Sequence, residues 1–232
     1  MTIQAVILAA GMGTRLARPH PKPLTELSDG RTIMHQQLHN LQTSFGKKLR
    51  LAIVVGYKLE QVMEHVPDVS FVYNENFDQT NTSKSLLKAL KNSPKGGVLW
   101  MNGDVVFAPE ILPMLRPYMK AGKSFITVDK SSVSDEEVKY TVDADGFIDL
   151  LSKRVPQDTA LGEAVGINYV SKKDKKALIK RLEQVEEQDY FEGGIELTIQ
   201  EDAVQWLPVD ISEFYAVEVD FPDDLIRANA SI

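Results

Sequence analysis

Residues 3–9, Ile-Gln-Ala-Val-Ile-Leu-Ala, form a short apolar run that ends before a turn holding Gly11 and Gly13. The run has β-branched residues and no polar alternation, which is the pattern of a strand covered on both faces. Such a strand belongs to a parallel sheet. The glycine turn then falls at the sheet's carboxyl edge, where sheets of this kind take their ligands.

The rest of the first half repeats strand and helix. The pattern predicts a helix from about Thr32 to Phe45, a strand in LRLAIVVGYK, a short helix in LEQVMEHV and a strand in VSFVYN. A helix over NTSKSLLKALKN follows, with Asn81 or Thr82 as its N-cap. GGVLWMNGDVVF reads as a fourth strand ending on Gly103 and Asp104, and Pro109 starts another helix. After about Lys123 strands dominate: SFITVD, EVKYTVDADGFIDLLSK with a hairpin turn at Asp145-Gly146, and AVGINYVS. A charged helix over Ser171 to Gln188, another around Gly194 to Asp202, strands in VQWLPVD and EFYAVEVD, and a helix from Phe221 complete the reading. The expected fold is α/β, doubly wound around a mostly parallel central sheet, Rossmann-like, and a single domain over residues 1–232. Its halves are 1–122 and 123–232, the second an extension built onto the first.

With 232 residues the chain can bury one sizeable core. A net charge of −7 argues against nucleic acid as a partner, although a small phosphate ligand needs only a few local cations. Cysteine is absent, which excludes disulfides and thiolate metal sites and fits a cytoplasmic location. No stretch approaches the roughly 20 apolar residues of a membrane helix, so no membrane insertion is expected. His35 and His39 are four apart on a helix, but no third ligand accompanies them. The mixed charges of KKDKKALIKRLEQVEEQ suit a solvated helix face.

Gly11-Met12-Gly13-Thr14-Arg15-Leu16 has leucine where a dinucleotide fingerprint needs its third glycine, and no ribose-binding acid follows the strand that ends at Val55. A Rossmann oxidoreductase is therefore disfavoured. A Walker loop fails as well, for want of Gly-Lys-Ser/Thr. Arg15 and Lys22 share one loop, stiffened by Pro19, Pro21 and Pro23. Two cations beside a backbone anion nest suit a triphosphate; the alternative is a solvated basic loop.

LAAGMGTRL…PKPLTEL resembles the signature of nucleotidyltransferases that join a nucleoside triphosphate to a phosphorylated small molecule. Sugar-1-phosphate nucleotidyltransferases and bacterial CTP:phosphocholine cytidylyltransferases belong to that group. The resemblance implies that Gly11, Gly13, Thr14 and Arg15 wrap the phosphates and that Lys22 neutralises them. The interval from Arg15 to Lys22 is shorter than in most sugar-1-phosphate members. Attack of one phosphate oxygen on another phosphorus brings two anions together, so the chemistry calls for Mg²⁺ more than for a strong base. The resemblance assigns the metal to Asp104 and Asp220, each placed after a strand. It makes residues 1–122 the nucleotide-binding half and 123–232 the acceptor-binding half.

By the same resemblance Lys153 contacts the acceptor phosphate, making Arg15, Lys22 and Lys153 the catalytic cations, and Glu163 and Gly166 line the acceptor pocket. The base is expected near Leu8, Ala9 and Ala10, with Asn81, Ser83 and Asn102 as candidates to read it; capping alone accounts for Asn81 equally well. Tyr190, Phe191 and Glu192, with Trp206 and Tyr215, suit a cationic head group, and core packing accounts for the aromatics equally well. The implied activity is transfer of CMP from CTP to phosphocholine or a related amino-alcohol phosphate or phosphonate, with release of pyrophosphate, by a monomer or homodimer. Alternatives are another triphosphate with a sugar-1-phosphate, or a nucleotide-binding regulatory module without turnover.

Overall fold

The computed structural model describes residues 2–16, 18–131 and 133–232, with the Thr14 side chain outside the described part. The first half runs β1 (Ile3–Ala9), α1 (Ile33–Phe45), β2 (Leu49–Val55), α2 (Leu59–His65), β3 (Ser70–Tyr73) and α3 (Thr82–Asn92). It continues with β4 (Val98–Asn102), β5 (Val105–Phe107) and α4 (Ile111–Lys120). The second half holds β6 (Phe125–Asp129), β7 (Lys139–Val142), β8 (Ile148–Ser152), β9 (Glu163–Val170), α5 (Lys175–Leu182) and α6 (Phe191–Asp202). β10 (Leu207–Asp210), β11 (Ala216–Glu218) and α7 (Pro222–Ser231) complete it.

The central sheet has the order β10-β6-β9-β4-β1-β2-β3, with the β7–β8 hairpin joined through β9. β1 pairs in parallel with β2 and β4, and β2 with β3, while β9 runs antiparallel between β4 and β6. β1 is buried along its whole length, as an apolar run without alternation requires. Its two faces serve two layers. Ile7, Met101 and Ile167 pack with residues of α1 and α4, whereas Val6, Leu8, Trp100 and Ile126 pack with residues of α3, α5 and α6.

The segment read as a fourth strand is in fact two. At Gly103 the amide donates to the Leu8 carbonyl at 2.9 Å, folding the chain over the end of β1. A Cβ at Gly103 would lie 2.7 Å from that carbonyl oxygen, so only glycine permits the approach. β5 thereby leaves the main sheet and pairs antiparallel with β11. The helix expected over Ser171 to Gln188 is confined to Lys175–Leu182. At its start Ser171 and Asp174 form a buried hydroxyl–carboxylate turn with Ser124. At its end the buried Lys84 ammonium takes the carbonyls of Leu182 and Val185. α6 begins at Phe191, ahead of Gly194, because the Phe191 amide is held by Thr82 Oγ1 at 3.2 Å.

Candidate active site

The carboxyl ends of β1 and β4 open into a cavity of about 400 Å³ on the face covered by α3 and α6. Leu8, Ala9, Gly11, Gly13, Arg15 and Lys22 line one side, and Asp104 and Asp220 the floor. Lys153, Gly166 and Glu192 line the side contributed by the second half, with Asn81 and Asn102 also at the rim or wall. Residues separated by two hundred positions thus meet in one space.

The glycine loop is shaped by Gly13, whose φ of +60° lies in the left-handed region and whose absent side chain leaves room for Lys22 Cβ at 3.0 Å. Arg15 sits in a short 3-10 turn, with Nη1 3.1 Å from Asp220 Oδ2 and its guanidinium 5.8 Å from the Phe221 ring centre. Lys22 lies between the two acids. Its Nζ donates to Asp104 Oδ2 at 2.8 Å and also to Asp220 Oδ1. Burial alone would lower the Lys22 ammonium. The charge of Asp104 and hydrogen bonds to Asp104 and Asp220 outweigh it and raise the group above its ordinary value. Burial would raise Asp220, but Lys22, Arg15 and Lys153 pull it below the usual carboxylate range.

Asp104 and Asp220 are brought together by the small β5–β11 ladder. Glu218 pairs with Val105, and the Val219 amide donates to the Asp104 carbonyl at 3.0 Å. Asp104 Oδ1 is buried without a partner. Two carboxylates sharing the Lys22 ammonium, one of their oxygens unsatisfied, offer the hard donors that suit a Mg²⁺ ion. Among the described residues no three His, Asp or Glu side chains stand together at metal-holding spacing, and the Lys22 ammonium lies between this pair.

Ala10, Ser83 and Glu163 do not line the cavity. The Ala10 carbonyl accepts the Tyr57 amide, Ser83 is fully buried within α3, and the Glu163 carboxylate accepts the Ser134 amide. Asn81 caps α3. Its Oδ1 accepts the Thr82 amide at 2.8 Å and its Nδ2 donates to the Gln188 carbonyl at 3.2 Å, which leaves one lone pair and one N–H of the amide uncommitted. Of the aromatics, Tyr190 and Phe191 reach the cavity; Trp206 is core, edge-on to Trp100, and Tyr215 packs against the core clusters. His35 faces His65 at 6.1 Å on the surface, and neither His35 nor His39 reaches the cavity.

Among the cavity residues that escaped sequence reasoning, Glu218, Asn168 and Glu137 matter most to the cavity's electrostatics. Glu218 stands two residues before Asp220, and its Oε1 accepts the Gly166 amide at 3.0 Å and Asn102 Nδ2 at 3.3 Å. Burial raises its carboxyl well above the ordinary value, and Asp104, Glu137 and Asp220 add to the effect. An acid at the i−2 position of the same strand end was the available clue. Asn168 is the lone amide in the apolar run of β9, a pattern that marks a polar group with a task. Glu137 comes from the segment just before β7, for which the sequence offered no clue. Its carboxyl is raised by burial and by Glu163, with Lys153 opposing.

A family model described as the MobA-like NTP transferase domain matches residues 5–188. The 2-aminoethylphosphonate cytidylyltransferase of Lancefieldella rimae is 30% identical over 206 residues, covering 86% of this chain and 78% of that protein. The CMP-5'-(3-aminopropyl)phosphonate synthase of Streptomyces rubellomurinus is 27% identical, covering 98% of this chain but 38% of that protein. In fold, the chain is similar to the inositol-1-phosphate CTP transferase of T. maritima, with a TM-score of 0.79 at 18% identity, covering 100% of this chain and 96% of the other. It is also similar to the CTP:phosphocholine cytidylyltransferase of Streptococcus pneumoniae, with a TM-score of 0.73 at 16% identity, covering 99% of each.

Proposed function

Because the chain belongs to the MobA-like NTP transferase family, we propose that it transfers CMP from CTP to a small phosphate or phosphonate bearing an amine, releasing pyrophosphate. The observation that carries this reading is one cavity lined by the glycine loop with Arg15 and Lys22, by Asp104 and Asp220, and by Lys153 and Glu192. The names of two relatives, both of which handle aminoalkylphosphonates, support the choice of acceptor.

The backbone amides around Gly11 and Gly13 cradle the triphosphate, while Arg15 and Lys22 offset its charge. The base rests against Leu8 and Ala9, with Asn102 Oδ1, which has no partner, available to its edge. Asp104 and Asp220 would hold Mg²⁺, and the buried Glu218 carboxylate, held by the Gly166 amide and Asn102, adds negative charge beside them. When bound, that ion would offset the negative charge that builds on the α-phosphate oxygens and the departing pyrophosphate. Lys153 attracts the acceptor's phosphate or phosphonate oxygens and holds them for in-line attack. The nucleophile is already ionised near neutral pH, so no side chain has to remove a proton from it.

Pyrophosphate release tests the reading, with CTP, UTP, ATP and GTP each paired with 2-aminoethylphosphonate, phosphocholine and glucose-1-phosphate. Turnover confined to CTP and the amine-bearing acceptors is expected. Preference for glucose-1-phosphate with another triphosphate refutes it, and no release from any pair refutes transfer itself.

A further inference from the structure

Four buried side-chain oxygens in the cavity lack a hydrogen-bond partner: Asn102 Oδ1, Asp104 Oδ1, Asn168 Oδ1 and Glu192 Oε2. All four are acceptors, and among the described residues no unpartnered buried donor lines the same space. Asn102 and Asp104 belong to the end near Lys22 and Glu218. Asn168 and Glu192 belong to the next stretch of wall, Asn168 standing across from Trp100, two residues before Asn102 on the neighbouring strand. In the sheet Asn168 pairs with Trp100, and Phe191, next to Glu192, packs edge-on against Trp100 at 5.6 Å. The first turn of α6 is thereby set over the part of the sheet that carries Asn168.

Unpaired buried acceptors cost free energy unless a ligand donates to them. The charges on this wall point the same way. Glu137 and Glu192 line it with one cation acting on both, Lys153. Burial raises Glu192 to about 7, and neither its own backbone amide nor Lys153 cancels that rise. A bound cation would supply the missing counter-charge.

The aromatic groups do not offer a quaternary cation its usual cage. Of the aromatic rings lining the cavity, Tyr190 already has the Lys153 ammonium 5.4 Å from its centre, Phe191 is engaged with Trp100, and Phe77 is paired with Tyr57 at 6.3 Å. A trimethylammonium has no N–H to donate and depends on such faces. A primary ammonium carries three donors, and oxygens are what this wall presents. Resting on the function proposed above, we infer that Glu192 and Asn168 form a subsite for a primary ammonium on the acceptor, selecting it over a quaternary ammonium and over a hydroxyl.

The test compares three acceptors with CTP and Mg²⁺: 2-aminoethylphosphonate, its N,N,N-trimethyl derivative and 2-hydroxyethylphosphonate. The primary amine should exceed both others by about tenfold or more in kcat/KM, the scale of a hydrogen bond to a charged group. In Glu192→Gln and Asn168→Leu the ratio of amine to hydroxyl acceptor should fall by about tenfold, with thermal melting to check folding. Should either variant fail to fold, the ratios of the parent protein decide alone. A trimethyl derivative used as well as the primary amine, or a ratio unmoved in a folded Glu192→Gln, overturns the subsite and leaves cytidylyl transfer standing. If no acceptor turns over with any triphosphate, the reading beneath it falls too.

Discussion

Replacing Lys22 by methionine keeps the length of the side chain and removes the charge between Asp104 and Asp220. Both carboxylates hydrogen-bond to one nitrogen, so their nearest oxygens lie at most about 6 Å apart. Two like charges at that distance repel by about 3 kcal/mol at an effective dielectric constant of about 20. All three side chains are mostly shielded, at 11%, 21% and 26% exposure, so bulk water screens this only partly. For a chain of this size the loss corresponds to a melting temperature roughly 6–12 °C lower at neutral pH. The deficit should shrink in acid as Asp220, held below the ordinary range, takes up its proton. A divalent ion relieves the same repulsion. Nucleotide-free Lys22→Met should therefore bind Mn²⁺ about tenfold to a hundredfold more tightly than the parent, read by electron paramagnetic resonance of the free ion. Its turnover with CTP should fall by about two orders of magnitude, since the triphosphate loses a cation. A variant that melts with the parent and takes up Mn²⁺ no better would refute the ion-triplet reasoning, whatever its activity.

Asp104→Ala and Asp220→Ala should each fold and lose about a hundredfold or more of metal-dependent pyrophosphate release; near-normal turnover in either removes its role. Glu192, raised from 4.5 to about 7, gives the folded state stability below pH 4.5 that is lost as pH rises through 7. Relative to Glu192→Gln, the parent should lose up to about 3 kcal/mol across that window; parallel melting-versus-pH curves would contradict this. A Cβ at Gly166 would lie 2.6 Å from Glu218 Oε1 and 2.8 Å from Asn102 Nδ2. Gly166→Ala should thus cut turnover about tenfold with little change in melting, because side chains can yield. Gly103→Ala meets the Leu8 carbonyl instead and should cost about 2 kcal/mol or more of stability in chemical denaturation.

Local pattern carried much of the architecture into the sequence. The unalternating apolar run of β1, the N-cap of α3 by Asn81 and the Asp145-Gly146 turn were legible because each depends on neighbouring residues. The division of β4 from β5 was not, because it depends on the amide of Gly103 reaching Leu8 across the sheet. Lys84 shortens α5 from a helix almost one hundred residues away, beyond the reach of any local pattern. In the site, Arg15, Lys22, Asp104 and Asp220 were legible through a motif and two strand ends. For Asn81 the sequence left capping and base readout open, because both ask for the same amide; the cap is present, and the residue also lines the cavity. Glu137 lies in a loop anchored by the Lys139 ammonium on three carbonyls, a fold of the backbone that no spacing announces.

The β5–β11 ladder has a mechanical consequence. It is a separate two-stranded unit beside the nine-stranded sheet, and it carries Asp104 at one end of one strand and Asp220 just past the other. Tilting or sliding of that unit moves both acids as one body, so their mutual spacing survives motions that change their distance from the glycine loop. Opening the cavity to admit or release a ligand can then proceed without dismantling the pair.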